Sequence, residues 1–176
     1  MNRSDQELMR GIAADDHDAL IHLYHQHAPA VYSLAWYILR DHHSAEEITQ
    51  DVFVAIWQKA HQFDAARGRL EPWLLQIARN LSIDCLRRQR RRAQESASLD
   101  SAAVPLTVSN APQADDYRRD LHKLLQTLPD EQRQAIELSY FHGYTHAEIA
   151  AQLKLPLGTV KSRILLGLRK LQSLMK

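Results

Sequence analysis

The sequence has one cysteine, Cys85, in 176 residues, so no internal disulfide framework can staple it. That thiol falls on the apolar side of a helical pattern and reads as a packing residue, not a nucleophile. Five glycines and six prolines are few, and β-branched runs are missing, which argues against strands and tight turns and for a largely helical chain. No apolar run approaches the ~20 residues that cross a bilayer, and MNRSDQELMR at the start lacks the apolar core of a secretory leader. No membrane insertion and a cytoplasmic location are expected. Also missing are paired carboxylates in a cleft pattern, a Ser/His/Asp or Cys/His arrangement and a glycine-rich phosphate loop, so no catalytic residue, cofactor or enzyme activity is expected. Several of the ten histidines gather near the N-terminus, His17, His22, His25, His27, His42 and His43. Without converging carboxylates or thiolates they predict surface histidines and no metal site.

What is present is segregated charge. The formal net charge is only +1. Residues 67–92 nevertheless hold Arg67, Arg69, Arg79, Arg87, Arg88, Arg90, Arg91 and Arg92 against Glu71 and Asp84, and residues 154–176 hold six cations and no acid. Two basic islands in an otherwise acidic chain suggest two contacts with polyanion and an acidic surface left for another partner.

The first island is WLLQIARNLSIDCLRRQRRR, Trp73 to Arg92. At ~100° per residue, Leu74, Ile77, Ala78, Leu81 and Cys85 share a core-facing stripe. Gln76, Arg79, Asn80, Ile83, Arg87 and Arg90 share another side, which is expected to face solvent or a nucleic acid. The cations also suit the negative pole of the helix dipole, so basic character alone leaves both readings open.

The remaining elements follow in order. Residues 4–27 predict a helix with a Ser4/Glu7 capping box, and Pro29 to Arg40 a second. SAEEITQDVFVAIWQKA predicts a third, capped by Ser44 with Glu47; Ile48, Val52, Ala55 and Ile56 turn inward, and Glu46, Glu47, Gln50, Asp51, Val54 and Gln58 outward. HQFDAARGRLEP, His61 to Pro72, predicts a loop. Residues 95–116, rich in Ser, Ala and Asp, predict a flexible linker. It separates a helical domain over 1–94 from a second over 117–176. In the second, helices are expected around Tyr117–Leu128 and after Pro129, with Gly143 as C-cap. THAEIAAQL then carries a Thr145/Glu148 capping box, and KLPLG leads into TVKSRILLGLRKLQSL. Two helices across a tight turn, the second basic, outline a helix-turn-helix. Val160, Ile164, Leu168 and Leu171 are expected inward; Thr159, Lys161, Ser162, Arg163, Arg169 and Lys170 are expected exposed.

Three stretches, SAEEITQDVFVAIWQKA, FDAARGRLEPWLLQIARNLSIDCLRRQRRR and LPDEQRQAIELSYFHGYTHAEIAAQLKLPLGTVKSR, together resemble the extracytoplasmic-function (ECF) sigma factors of the sigma-70 family. The resemblance implies an all-α chain, with sigma region 2 as a helical bundle, then a flexible linker, then region 4 as a helix-turn-helix. It implies a promoter-specificity subunit that binds core RNA polymerase, at the β′ clamp helices and the β subunit, and opens promoter DNA. Control by an anti-sigma factor is implied as well. Glu47, Gln50 and Asp51 match the part that docks on the β′ clamp helices. Arg79, Asn80 and Arg87 match the minus-ten reader, with the loop from Phe63 to Glu71 that includes Arg67 and Arg69. Asn80 is the candidate for a base edge, while Trp73 offers either a stacking surface or core packing. Lys161 and Arg163 match the minus-thirty-five reader through phosphate or guanine, with Thr159 and Ser162 near the backbone. Leu165 and Leu166 depart from the family's polar pattern there, and could meet thymine methyls, an inhibitor or the neighbouring domain. The rival is an autonomous helix-turn-helix regulator, which leaves SAEEITQDVF and the loop before Trp73 without a role.

Overall fold

The computed structural model describes residues 4–66, 68–96 and 112–174. Among the described residues there are eight α-helices and no strand: α1 Asp5–Ala13, α2 His17–Leu39, α3 His42–Lys59, α4 Leu70–Ser96, α5 Pro112–Gln126, α6 Asp130–Ile136, α7 His146–Leu153 and α8 Leu157–Leu174. A 3-10 turn, Ala60–Gln62, follows α3, and a π-helical turn, Glu137–Phe141, continues α6. The predicted linker lies largely outside the described residues, and Arg67 does so entirely. No described helix is long and apolar enough to cross a membrane.

The first helical stretch breaks earlier than expected. Instead of one helix over 4–27 and another from Pro29, the chain stops at Ala13 and restarts at His17. Asp15 takes the left-handed region at φ 61, where Asp is among the better-tolerated residues. The Asp16 carboxylate then accepts from the amides of Asp18 and Ala19 at 3.0 and 3.2 Å, an N-cap strong enough to set the boundary. Helix α2 instead runs straight through Pro29. Its missing N–H ordinarily costs a helix ~3 kcal/mol. Buried Leu23, Ala30, Val31 and Ala35 on either side hold the helix against its neighbours regardless.

Capping follows the sequence at two helices and departs from it at a third. Ser4 with Glu7 and Thr145 with Glu148 form reciprocal capping boxes. Ser44 does not cap α3: Asp41, three residues upstream, accepts from the Ser44 amide at 2.8 Å, and Ser44 is buried one turn inside the helix. The two hydrogen bonds from Ser44 hold the Asp41 carboxyl below the usual carboxylate range.

The larger core is built by α1 to α4, with Leu8, Ile12, Leu23, Val52, Ile56, Leu70 and Leu74 essentially fully buried. Burying one such leucine contributes ~2–3 kcal/mol. This core extends into the C-terminal helices through Leu125, Leu128, Ile136 and Phe141. A smaller core of Ala135, Ile149, Val160 and Ile164 joins α6, α7 and α8. Leu168, expected inward, is 42% exposed, and Gly167 takes its place at the crossing of α8 over α6. A Cβ on Gly167 would stand 2.6 Å from Ile136 Cδ1, so only a glycine lets the helices approach this closely. His27 departs from the surface expectation: it is buried, with Nε2 3.4 Å from Asp5 Oδ1.

Candidate nucleic-acid interface

Helix α3 buries Ile48, Val52, Phe53 and Ile56 and turns Glu46, Glu47, Gln50, Asp51, Val54 and Gln58 outward. Glu47 has a same-helix partner, His43, at 3.3 Å. Such an exposed pair is weak, so the face stays available to a cationic partner. The loop after α3 is tied locally, with Asp64 Oδ1 accepting from the Ala66 amide at 3.0 Å. Phe63 and Trp73 pack on one another at 5.6 Å between ring centroids and lean on the larger core. Arg69 is exposed.

Helix α4 begins at Leu70, three residues ahead of the predicted start, with Pro72 in its first turn. Leu74 and Ala78 are buried as the periodicity predicts, and Ile77, Leu81 and Cys85 are partly so. The opposite side is only partly open to solvent: Gln76, Asn80 and Arg87 are exposed, whereas Arg79 and Arg90 are half-buried. Ile83, expected outside, is 5% exposed, because Gly143 covers it. Arg79 donates from Nε to the Tyr140 carbonyl at 2.9 Å and from an Nη to that of Ser139 at 3.1 Å. Arg87 donates to the Gly143 carbonyl at 3.0 Å, and Arg90 to that of His142 at 2.8 Å. Arg79 also lies 4.1 Å over the Tyr140 ring and Arg90 4.6 Å over that of Tyr144. Burial pulls the Arg79 guanidinium below its ordinary value. Asn80 is exposed, and its Oδ1 accepts from Gln76 Nε2 at 2.9 Å. It opens onto a cleft lined also by Asp84, Arg87, Thr145 and His146.

At the other end, Lys154 in the left-handed region, φ 53, ends α7 and turns the chain into α8. Lys161 and Ser162 are exposed near the start of α8, and Thr159 is half-buried. Arg163 is drawn aside by Glu131 of α6, at 2.6 Å. Leu165 and Leu166 are about half exposed, at 50% and 51%. One basic and one hydroxyl group thus stand exposed on the leading turns of the second helix of the pair.

The family model for Sigma-70 region 2 matches residues 23–92, and that for Sigma-70 region 4 matches residues 118–171. The ECF RNA polymerase sigma factor SigK of Mycobacterium ulcerans is 36% identical over 97% of this chain and 94% of its own length. The chain belongs to the ECF sigma factors. SigK of Mycobacterium bovis is 35% identical over 94% of this chain and 90% of its own. Among solved structures, SigE of Rhodobacter sphaeroides with the anti-sigma ChrR shares 33% identity (TM-score 0.44, 97% of this chain and 99% of that one). CnrH with the cytosolic domain of CnrY shares 26% (TM-score 0.47, 97% and 96%). This sigma factor therefore serves promoter-directed initiation of transcription by RNA polymerase, a family role that is not itself catalytic.

The sequence signals did not reveal the partners of the sigma factor's α4 arginines. Arg79 meets carbonyls 60 and 61 positions away, and no local pattern encodes such a pairing. Tyr140 and Gly143 are therefore part of the site's surroundings. A glycine followed by an aromatic and a cap was the only trace they left.

Proposed function

We propose that this sigma factor docks on core RNA polymerase through the outward face of α3, with Glu47, Gln50 and Asp51 meeting cations of the β′ clamp helices. Region 2 then comprises residues 1–94 and region 4 residues 117–176, on either side of a linker over 95–116 whose two ends are helical, in the last residues of α4 and the first of α5. Phe63, Arg67, Arg69, Trp73, Arg79, Asn80 and Arg87 open and read the minus-ten element, with Asn80 against a base edge and the arginines along phosphates. Thr159, Lys161, Ser162 and Arg163 read the minus-thirty-five element as duplex. The chain supplies no chemistry of its own and works in the cytoplasm beside the polymerase. An anti-sigma factor, the kind of partner present in the SigE structure, is the regulator extended to this chain.

The observation that carries the docking reading is the unburied row of carboxylate and amide groups on α3, backed by buried Ile48, Val52, Phe53 and Ile56 on the opposite face. Complementary charge at such a surface governs encounter and register. Reversing Glu47 and Asp51 to lysine should weaken core binding at least tenfold while helicity and melting stay unchanged. Unaltered affinity would make the face an ordinary solvated surface. Asn80→Ala should impair promoter-dependent transcription with core binding intact; an equal loss of core binding would point to misfolding instead.

A further inference from the structure

Resting on the reading that Asn80 meets a base edge, we propose that Gln76 is a positioning residue that fixes which end of the Asn80 amide the base meets. It thereby selects a keto base, thymine or guanine, at that minus-ten position. One hydrogen bond carries the proposal: Gln76 Nε2 donates to Asn80 Oδ1 at 2.9 Å. Residues four apart on a helix stand one above the other, so α4 brings these two amides together.

The consequence follows from what an amide can offer. A carboxamide holds an acceptor oxygen and a donor NH2 at opposite corners of one plane. With its oxygen turned back to Gln76, Asn80 leads with Nδ2. Asn80 borders the cleft shared with Asp84, Arg87, Thr145 and His146, and Gln76 does not. Gln76 therefore engages Asn80 from outside the cleft, and the NH2 is the end left for a ligand within it. Thymine presents O4 and guanine O6 where cytosine and adenine present an amino group. A leading NH2 donates to the first pair and sets donor against donor at the second. The bidentate pairing of asparagine with adenine needs Oδ1 and Nδ2 together on one base edge, and here Oδ1 is already engaged.

Both side chains are exposed in the free chain, where water competes and such a pair is weak. A base laid over Asn80 excludes that water, and a hydrogen bond in the drier site is stronger. The bias therefore acts in the complex, where one mismatched neutral hydrogen bond lowers binding about fivefold.

The test uses holoenzyme assembled from core polymerase and the full chain, on a promoter found by transcript mapping whose minus-ten region is randomised. The transcripts are sequenced, and each base is scored against its abundance in the template. With wild type, one position should favour thymine and guanine over adenine and cytosine about fivefold, and Asn80→Ala should level that position alone. Gln76→Lys offers only donors and should keep the wild-type order. Gln76→Glu offers only acceptors, so it draws on Asn80 Nδ2, turns Oδ1 outward and should reverse the order in favour of adenine and cytosine. Bases are ranked within each variant, so the general effect of an added charge on DNA affinity drops out. Position 76 is exposed, and helicity and melting should not change. An order that Gln76→Glu leaves unreversed, a loss spread evenly over all positions, or a wild-type preference for an amino base at the Asn80-dependent position overturns the proposal. If Asn80→Ala levels no position, the base-edge reading of Asn80 itself is wrong. If Asn80→Ala levels one position that no Gln76 variant alters, that reading stands and the role of Gln76 falls.

Discussion

Alanine at Gly143 probes the contact between the two halves of the chain in a way that can be worked out from distances. The glycine sits at φ 67, where an L-residue costs roughly 1–2 kcal/mol. Its added Cβ would also stand 2.8 Å from Ile83 Cγ2 and 3.2 Å from Cδ1. Ile83 is β-branched and stiff about χ1, so its methyls cannot simply turn away, and overpacking of this kind costs ~1–3 kcal/mol. Gly143→Ala should therefore destabilise the chain by ~2–5 kcal/mol. In an Ile83→Ala background the collision disappears and only the backbone part, ~1–2 kcal/mol, remains. Urea denaturation of the four proteins, followed by tryptophan fluorescence, gives the coupling between the two positions. The expected value is ~1–3 kcal/mol. Additivity within ~0.5 kcal/mol would mean that Gly143 does not rest on Ile83, and the packing of residues 137–143 on α4 would fall with it.

Three further outcomes follow. Asp41→Ala should cost ~1 kcal/mol as a lost N-cap; because Ser44 holds the folded carboxyl below 3.8, the stabilisation is full above that pH and is lost as pH falls through the lower folded value. An acid titration of stability in wild type and variant checks both. Glu131→Gln releases Arg163 from its 2.6 Å partner, and should steepen the salt dependence of duplex binding by about one unit in log–log slope; an unchanged slope would leave Arg163 out of the DNA contact. His142 is pushed below the ordinary 6.5 by burial and then by Arg90, with Arg40 adding to this and Glu137 opposing it. The folded chain then excludes a proton that the unfolded chain accepts, so this residue's contribution to stability is undiminished above pH 6.5 and weakens as pH falls below it. Urea denaturation across that range should show stability falling on acidification in wild type and falling less in His142→Gln.

Local chemistry was legible in the sequence where the partners lie within one helical turn. Both reciprocal capping boxes are such cases. Ser44 misled because Asp41 offers a carboxylate at the competing position, and a charged acceptor holds the amide more strongly than a hydroxyl. Periodicity placed Leu74, Ala78, Val160 and Ile164 inside but misplaced Ile83 and Leu168. A helical wheel tells which residues share a face; it does not tell what covers that face. Ile83 is covered by a glycine sixty positions on, and Leu168 is displaced by the close approach of Gly167 to Ile136. The candidates on α3, and Lys161 and Ser162 on α8, are exposed as the wheel predicts, while Thr159 is half-buried and Glu131 holds Arg163 aside. Those on α4 were readable by type only, since their carbonyl partners carry no side-chain signature.

The central claim is tested most directly by transcription with purified core RNA polymerase and this chain on fragmented genomic DNA, with the 5′ ends of the products sequenced. The account predicts transcripts that start at a defined subset of sites sharing minus-thirty-five and minus-ten elements, and that vanish when Glu47 and Asp51 are reversed. Starts identical to those of core alone, from a protein that binds promoter duplex tightly without polymerase, would contradict it.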